Sequence, residues 1–387
     1  MTLSTPIPPG FARTVCLARA PVAVFAAMGV LWGTYAADMP DIKVMLGVSE
    51  ARLGLLMLMT PIAAMAAMLV TPWVSRVLGR VALPLSALAM AFAFAWPGQF
   101  ASVWLFPLAM LACGATTGAT DVLMNARASA LEARHRMPLM NLCHAAYSFG
   151  YAGGALGTGV LRAQGLPPSV VMPVMALLAA GLILWAFEAE GRIEGLSRPP
   201  GARISLGAVP LVGGGIVLIA FLTENAAEYW SALHVEQTLG GSPAFGSAAP
   251  ALLALTMGVS RLAGQGLAQR VGSVRLMLMG ATLSALGALA VAAATSPALA
   301  YAGFVVMGMG SSVISPTAFT LIGQLSPAAS RTRAVAQATF LGYAGYFVGP
   351  PVVGFIAGSF GLPGAFVFAA AMLMLIWVLA PQLRHRS

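Results

Sequence analysis

The chain has few charged residues, and several of them lie inside long apolar stretches. The clearest case is Asp121, which shares one helical face with Gly114, Gly118 and Asn125 because the intervals are 4, 3 and 4 residues. A carboxylate in such a stretch is costly and is therefore a functional candidate that can take up and release a proton. We predict Asp121 as a proton-coupling residue and Asn125 as a solute contact. The alternative is a structural hydrogen bond between helices, for example to Arg127.

A second pair of carboxylates occurs in another apolar stretch. Glu224 and Glu228 are four residues apart and share a face of the predicted helix. Two neighbouring acids repel unless one is protonated or a cation lies between them. We predict Glu224 as a proton-coupling residue and Asn225 and Glu228 as solute contacts. The alternative for Glu228 is a solvated side chain beside an interfacial Trp230.

Seven further polar residues lie in or near apolar stretches. Asp38 is a third candidate for proton coupling, although an acid at the rim of a membrane protein is often simply solvated. Arg261 has three interpretations, because it could reach the cytoplasmic face, neutralise Asp121 or bind an anionic solute. His144 could bind solute, shuttle a proton or be packed in the interior. With Arg261 and His144, the predicted solute contacts are Tyr35, Tyr147, Ser315 and Tyr343.

Membrane-spanning helices are needed to position these residues. The composition is 59% hydrophobic and 8% charged, with a mean hydropathy of +0.88, far from that of a soluble domain. A helix needs about 20 apolar residues to cross a bilayer. The sequence predicts twelve such segments: Pro21 to Met39, Leu53 to Trp73, Val81 to Phe100, Val103 to Met124, Leu139 to Leu161, Pro168 to Phe187, Leu206 to Ala227, Phe245 to Leu267, Val274 to Ala294, Pro297 to Leu321, Val335 to Phe360 and Leu362 to Ala380.

The positive charges predict the orientation of these segments. Sixteen arginines fall on one side of the membrane, and only Lys43, Arg52 and Arg162 fall on the other. The positive-inside rule therefore places both termini in the cytoplasm. The arginines occur singly or in pairs beside segment ends, which argues against nucleic-acid binding. The three cysteines are widely separated and have the spacing of neither a disulfide framework nor a metal site.

The two halves of the chain share a repeated tetrapeptide. Gly-Tyr-Ala-Gly occurs at 150–153 and again at 342–345, in the fifth and eleventh segments. A repeat of this length predicts two pseudo-symmetric six-helix bundles. We place the first at residues 1–187 and the second at 206–387, with a polar cytoplasmic linker at 188–205. Glycine and proline in the repeated segments predict either bending or dense packing, and the candidate gating residues are Gly150, Gly153, Gly342, Gly345 and Pro350.

Two loops resemble the major facilitator superfamily. After the second and eighth segments, that family carries a pattern close to G-x-L-x-D-R-x-G-R-R. This chain retains Arg76, Gly79 and Arg80 in its first half and Arg270 and Gly272 in its second, without the acidic residue in either. The resemblance implies a gating role for these five residues, and the missing acid implies that the usual latch between the bundles is altered.

Five longer stretches resemble a bacterial subfamily distantly related to the fucose permease. They are 32–43, 121–126, 138–150, 224–232 and 342–351. The spacing of Asp121 and Asn125 is similar to a glutamate and asparagine of that permease, where the acid is assigned to proton coupling. The resemblance implies an all-α membrane fold of twelve helices in the bacterial inner membrane.

The expected function is secondary active transport. The resemblance implies alternating access of a small polar solute, driven by proton symport, in a monomer without a cofactor and without enzymatic activity. The alternatives are a proton-coupled efflux antiporter for a drug or metabolite and a membrane sensor that does not transport. The sequence also lacks a phosphate-binding loop for ATP hydrolysis.

Overall fold

The protein is helical throughout the residues that its structure describes. These residues, in a computed structural model, are 11–135, 137, 139–191, 193, 207–264, 267–327 and 331–383. Most of the predicted linker lies outside them.

Twelve long helical elements carry the chain from one face of the molecule to the other. They are α1 (Arg19–Ala37), α2 (Glu50–Met57 and Met59–Leu78), α3 (Ala82–Phe94), α4 (Phe106–His135), α5 (Met140–Ala163), α6 (Pro168–Ile183), α7 (Val209–Leu233), α8 (Pro243–Ala263), α9 (Ser273–Ala292), α10 (Pro297–Ser311 and Ile314–Leu325), α11 (331–360) and α12 (362–374). Shorter helices and turns connect or extend them: Phe11–Leu17, Met39–Leu46, Gly79–Val81, Pro97–Gln99, Leu184–Ala186, His234–Thr238, Leu267–Val271, Ile376–Leu379 and Ala380–Leu383.

The lengths and compositions of these elements fit a multi-pass membrane protein. Among the described residues, nine helical stretches are long and apolar enough to span a bilayer. Two of them, Glu50–Gln99 and Arg333–Leu383, are 50 and 51 residues long and each contains two crossings. The first turns at Gly79, which has a φ of 58°, and the second at Gly361, which has a φ of 76°. Helix α5, which contains His144, Ser148 and Arg162, is not among the nine stretches. Counted with the two stretches that cross twice, it brings the number of crossings to the predicted twelve.

The two halves pack in the same way. Helix α1 lies along α5 in the first half, and α7 lies along α11 in the second. The repeated tetrapeptide lies at these contacts: a Cβ on Gly150 would be 2.2 Å from the carbonyl oxygen of Ala26, and one on Gly345 would be 2.3 Å from that of Leu218. Small residues therefore let the paired helices approach closely, which explains the repeat as a packing motif. Its predicted role in bending stays a prediction.

The halves meet along two pairs of helices, α5 with α8 and α2 with α11. A Cβ on Gly54 would lie 2.3 Å from the carbonyl oxygen of Pro350, and one on Gly159 would lie 2.7 Å from Cβ of Ser247. These contacts are near the ends of helices that the arginine distribution predicts to face outward. We refer to this side as the predicted outer face.

Candidate functional site

A cavity of about 260 Å³ lies between the two halves. Helices α1, α2, α4 and α5 from the first half and α7, α8 and α11 from the second contribute to its wall. Ten residues singled out from the sequence line it: Tyr35, Asp121, His144, Tyr147, Glu224, Asn225, Glu228, Arg261, Tyr343 and Pro350. The fold thus gathers into one chamber residues that are more than 300 positions apart in the chain.

Asp121 links the two halves through a hydrogen bond. Tyr343 on α11 donates its hydroxyl to Oδ2 of Asp121 on α4 at 2.8 Å. Asn125 donates to Oδ1 at 3.0 Å and to the backbone oxygen of Asp121 at 2.9 Å. Asn125 is therefore a residue that orients Asp121, and it is not among the described residues that line the cavity.

The glycines on the Asp121 stripe explain how α4 reaches this position. A Cβ on Gly114 would lie 2.0 Å from the carbonyl oxygen of Thr60, and one on Gly118 would lie 2.4 Å from that of Ala64. Any side chain at either position would push α4 away from α2. These small residues serve close helix packing, and Gly118 also lines the cavity.

Arg261 is paired with Glu224. Its Nη2 lies 3.5 Å from Oε1 of Glu224, and the two side chains are 18% and 12% exposed. This arrangement differs from two interpretations of Arg261 from the sequence, a partner for Asp121 and a head group reaching the cytoplasmic face, because the side chain lines the cavity instead. Arg127, the other candidate partner of Asp121, binds Glu188 at 2.6 Å.

Glu228 is buried in the cavity wall, and the part of the chain that the structure describes offers its carboxylate no ion pair. The residue is only 7% exposed, and the adjacent Trp230 is fully buried. The interpretation of Glu228 as a solvated residue next to an interfacial tryptophan was therefore wrong. Tyr147, Tyr229 and Tyr346 are within electrostatic reach of its carboxylate.

Several polar atoms of the cavity wall lack hydrogen-bond partners. Buried polar groups are normally paired, so each exception requires an explanation. These five atoms are themselves buried, so a solute could use them only after a side chain of the wall turns. Within the described residues they belong to Tyr35 (Oη), Thr60 (Oγ1), Thr117 (Oγ1), Asn225 (Oδ1) and Arg261 (Nε).

His144 and Tyr147 lie on α5 and contribute to the same wall. The ring of His144 packs edge-on against Phe25 with the ring centres 5.0 Å apart. Tyr147 lies near Tyr151, the tyrosine of the first repeated tetrapeptide, at 6.0 Å between ring centres. The packing of His144 accounts for its burial, while its place in the wall leaves it available to a solute.

Besides Asn125, two predicted residues do not line the cavity. Ser315, in the second part of α10, is buried, and its hydroxyl is without a partner among the described residues. Asp38, at the end of α1, is completely buried and has Nε of Arg162 at 3.5 Å from its Oδ1. Neither belongs to the cavity lining, so the chamber does not explain the roles predicted for them.

Arg162 is the centre of a charge cluster at the predicted outer face. Its guanidinium binds both oxygens of Asp41 at 2.8 Å and both oxygens of Glu236 at 2.7 and 3.0 Å. It also donates to the carbonyl of Ala37 at 2.8 Å. Asp41 belongs to the first half and Glu236 to the second, so one buried arginine ties the halves together. We call Asp38, Asp41, Arg162 and Glu236 the outer cluster.

Of the outer cluster, only Asp38 was singled out from the sequence. Arg162 directly follows the predicted fifth segment, and it was used only as one of three positive charges on the predicted outer side. The partners Asp41 and Glu236 are 121 and 74 residues away, which no local pattern reveals.

The family-like loops lie at the opposite face. Gly79 and Gly272 have φ values of 58° and 89°, a conformation that favours glycine. Arg76 donates to the carbonyl of Pro72 within its own helix at 3.4 Å, and Arg270 is exposed. The glycines thus shape the turns after α2 and α8, while the predicted gating role of Arg76, Arg80 and Arg270 stays a prediction.

This arrangement of two symmetric helix bundles around a central polar chamber defines a membrane transporter fold. The family model of the Major Facilitator Superfamily matches residues 213–386. An uncharacterised MFS-type transporter of Yersinia pestis is 29% identical over 376 residues, which cover 96% of this chain and 95% of that protein.

Solved structures agree with this assignment. The nucleoside transporter NupG has a TM-score of 0.72 at 13% identity, covering 95% of this chain and 98% of that one. The fucose:proton symporter FucP of E. coli has a TM-score of 0.59 at 16% identity, covering 94% and 98%. The likeness to both structures concerns the fold. The family model and the relative show that this chain is similar in sequence to the major facilitator superfamily, the family that its loops resemble.

Proposed function

We propose that the protein is a proton-coupled secondary transporter that moves a small polar solute by alternating access. The observation that carries the proposal is the hydrogen bond between Asp121 and Tyr343, because it joins a protonatable group in the cavity to the opposite half of the molecule. A hydrogen bond to a charged acceptor is stronger than one to a neutral acceptor. Protonation of Asp121 therefore changes the contact between the halves, which is the property that coupling requires.

The direction and location follow the same reasoning. We propose symport into the cell by a monomer in the bacterial inner membrane, with both termini cytoplasmic as the arginine distribution predicts. In this conformation Arg162 joins Asp41 and Glu236 across the halves, which supports an arrangement that is closed at the predicted outer face. A fucose:proton symporter shares the fold, which supports coupling to protons by analogy.

Transport in proteoliposomes tests the proposal. An imposed pH gradient should drive uptake of at least one member of a panel of sugars, nucleosides, amino acids and amines, with matching proton movement. Asp121→Asn should abolish accumulation against a gradient while keeping passive exchange of the same solute, because the variant still fills the cavity but cannot release a proton. Glu190→Gln, at an exposed ion pair outside the cavity, should behave like the unmodified protein.

Two results would contradict this function. If Asp121→Asn accumulated solute as well as the unmodified protein, Asp121 would not be the coupling residue. If no solute moved in either direction, a sensor on the same fold would be favoured. Proton movement opposite to solute movement would instead identify an antiporter, the alternative considered from the sequence.

A further inference from the structure

We infer that the solute is a small organic cation, bound by Glu228 within the aromatic part of the cavity. The inference rests on the proposed function and names the substrate class that the same chamber selects. It starts from the different partners of the three carboxylates in the wall, Asp121, Glu224 and Glu228.

Glu228 is the carboxylate that needs a cation. Asp121 accepts hydrogen bonds from Tyr343 and Asn125, and Glu224 is paired with Arg261. No ion pair to Glu228 is found within the described ranges, although the residue is only 7% exposed. A buried carboxylate without a partner is costly, and the cost disappears when a positive charge binds beside it.

The surroundings of Glu228 fit an organic cation. Trp32, Tyr35 and Tyr229 form a corner of the cavity, with ring centres 5.7 to 5.9 Å apart in each pair. The ring of Tyr35 is nearly perpendicular to the other two, at 89° and 83°. Ring faces attract cations, and groups of tyrosine and tryptophan recognise quaternary ammonium ions. Tyr229 and Glu228 both line the cavity, and the tyrosine hydroxyl is within electrostatic reach of the carboxylate, so the carboxylate and the aromatic corner belong to one part of the wall.

The charges of the chamber agree with this assignment. Among the described residues, its wall has three carboxylates and one guanidinium, that of Arg261, which is paired with Glu224 and is also within electrostatic reach of Glu228. An anionic solute would have to displace Glu224 from Arg261 and would meet two carboxylates near one guanidinium. A cation gains from the unpaired carboxylate and from the aromatic faces together. The site for a proton at Asp121 and the site for a cation at Glu228 are then separate, as symport requires.

Binding to the purified full-length protein tests the inference without transport. The probes are tetramethylammonium, choline, tetraethylammonium and benzyltrimethylammonium, measured by calorimetry. The matched neutral probe is the alcohol in which a quaternary carbon replaces the nitrogen of choline. At least one cation should bind, and choline should bind at least about 10-fold more tightly than its neutral analogue, because the shape is shared and only the charge differs.

Variants separate the carboxylate from the rings. Glu228→Gln should weaken cation binding at least about 30-fold, which is the lower range for removing one partner of a buried charge pair. Trp32→Leu should weaken it about 5-fold through loss of a ring face. Glu190→Gln should leave binding unchanged. A monodisperse elution profile for each variant verifies that it is folded.

Three outcomes would overturn the inference: none of the four cations binds, the neutral analogue binds as well as choline, or Glu228→Gln binds cations as before. Failure of the proposed function gives different results. Cation binding that depends on Glu228, without proton-coupled flux, would retain the substrate class and reject the coupling. Proton-driven uptake of a neutral solute, without cation binding, would retain the coupling and reject the substrate class.

Discussion

The outer cluster and the central cavity are both buried groups of charges between the halves, yet their bonding is opposite. In the outer cluster, Arg162 satisfies Asp41 and Glu236 with paired hydrogen bonds and also binds a backbone carbonyl. In the cavity, Glu224 and Arg261 form one looser pair at 3.5 Å, and Glu228 has no ion-pair partner in the described chain.

The difference indicates what each region does. A buried charge network stabilises one arrangement of its elements only when its members are satisfied. The outer cluster meets this condition for Arg162, Asp41 and Glu236 and favours a closed predicted outer face, although both carboxylate oxygens of Asp38 have no hydrogen-bond partner among the described residues. The cavity does not meet it at Glu228, whose carboxylate favours a positively charged ligand. Closure and binding are therefore assigned to separate sets of charges in the same interface.

The largest effect should come from breaking the outer cluster. Arg162→Met removes the cation between Asp41 and Glu236 and should destabilise the closed arrangement by about 3–5 kcal/mol, the cost of leaving buried charges unpaired. Ala251, 2% exposed on α8, lies in a small buried cluster between the halves. Cys16 is an exposed cysteine, so the experiment uses a Cys16→Ser background. There, Ala251→Cys should react with an impermeant maleimide added from outside only when Arg162→Met is also present, because the buried position is reached only when the halves separate.

An exposed ion pair provides the control for that comparison. Arg134 and Glu190 are 3.0 Å apart, with side chains 64% and 76% exposed. Such pairs contribute about 0–1 kcal/mol, so Arg134→Met should change neither the maleimide reaction nor the thermal unfolding temperature measurably. Equal labelling in the two variants would mean that the outer cluster does not hold the halves together.

Much of the fold was predictable from the sequence. Apolar segments of bilayer length, the polar break between the halves and the repeated tetrapeptide predicted twelve helices in two bundles. The loops at Gly79 and Gly272 indicated the family, because their turns require a glycine conformation that leaves a local sequence signature. The carboxylates of the cavity were predictable for a related reason, since an acid stands out in an apolar helix.

The pairings could not be predicted. Asp121 and Tyr343 are 222 residues apart, and their contact depends on how α4 faces α11. Arg261 joins Glu224 rather than Asp121 because the rotation of α8 decides which acid it meets, and a hydropathy pattern does not determine rotation about a helix axis. Helix α10 was predicted as one segment, but it divides after Ser311 and resumes at Ile314. Pro316 was the available signal, because a proline has no N–H to donate to the carbonyl four residues earlier, that of Ser312.

A smaller effect should come from the close contact between α2 and α11, the other pair of helices along which the halves meet. Gly54→Ala places a Cβ 2.3 Å from the carbonyl oxygen of Pro350, so α2 and α11 must move apart. Overpacking of this kind costs about 1–3 kcal/mol. Thermal unfolding should occur at a lower temperature, and labelling at Ala251→Cys should rise less than with Arg162→Met.

Gly153 is the matched control, because a Cβ there meets nothing within 4 Å. It is also a helical glycine, so replacing it with alanine should be neutral or slightly stabilising. If Gly153→Ala lowered the unfolding temperature as much as Gly54→Ala, the loss would reflect helix flexibility rather than the contact between halves. That result would favour the hinge interpretation of the repeated tetrapeptide.

If Asp121 is neutral, the smallest effect should come from the single hydrogen bond that connects the cavity to the opposite half. Tyr343→Phe removes the donor to Asp121 and should cost about 0.5–1.5 kcal/mol if the acid is neutral, or about 1.5–3 kcal/mol if it is charged. The measured difference in unfolding free energy therefore reports the charge of Asp121 in this conformation. Tyr346→Phe is the control, because Tyr346 lines the same cavity and stacks on Phe221 at 4.7 Å. Equal losses in the two variants would mean that the hydrogen bond between Tyr343 and Asp121 contributes no measurable free energy. The contrast between the outer cluster, which closes one face, and the cavity, which binds a ligand, would then depend on Glu228 alone.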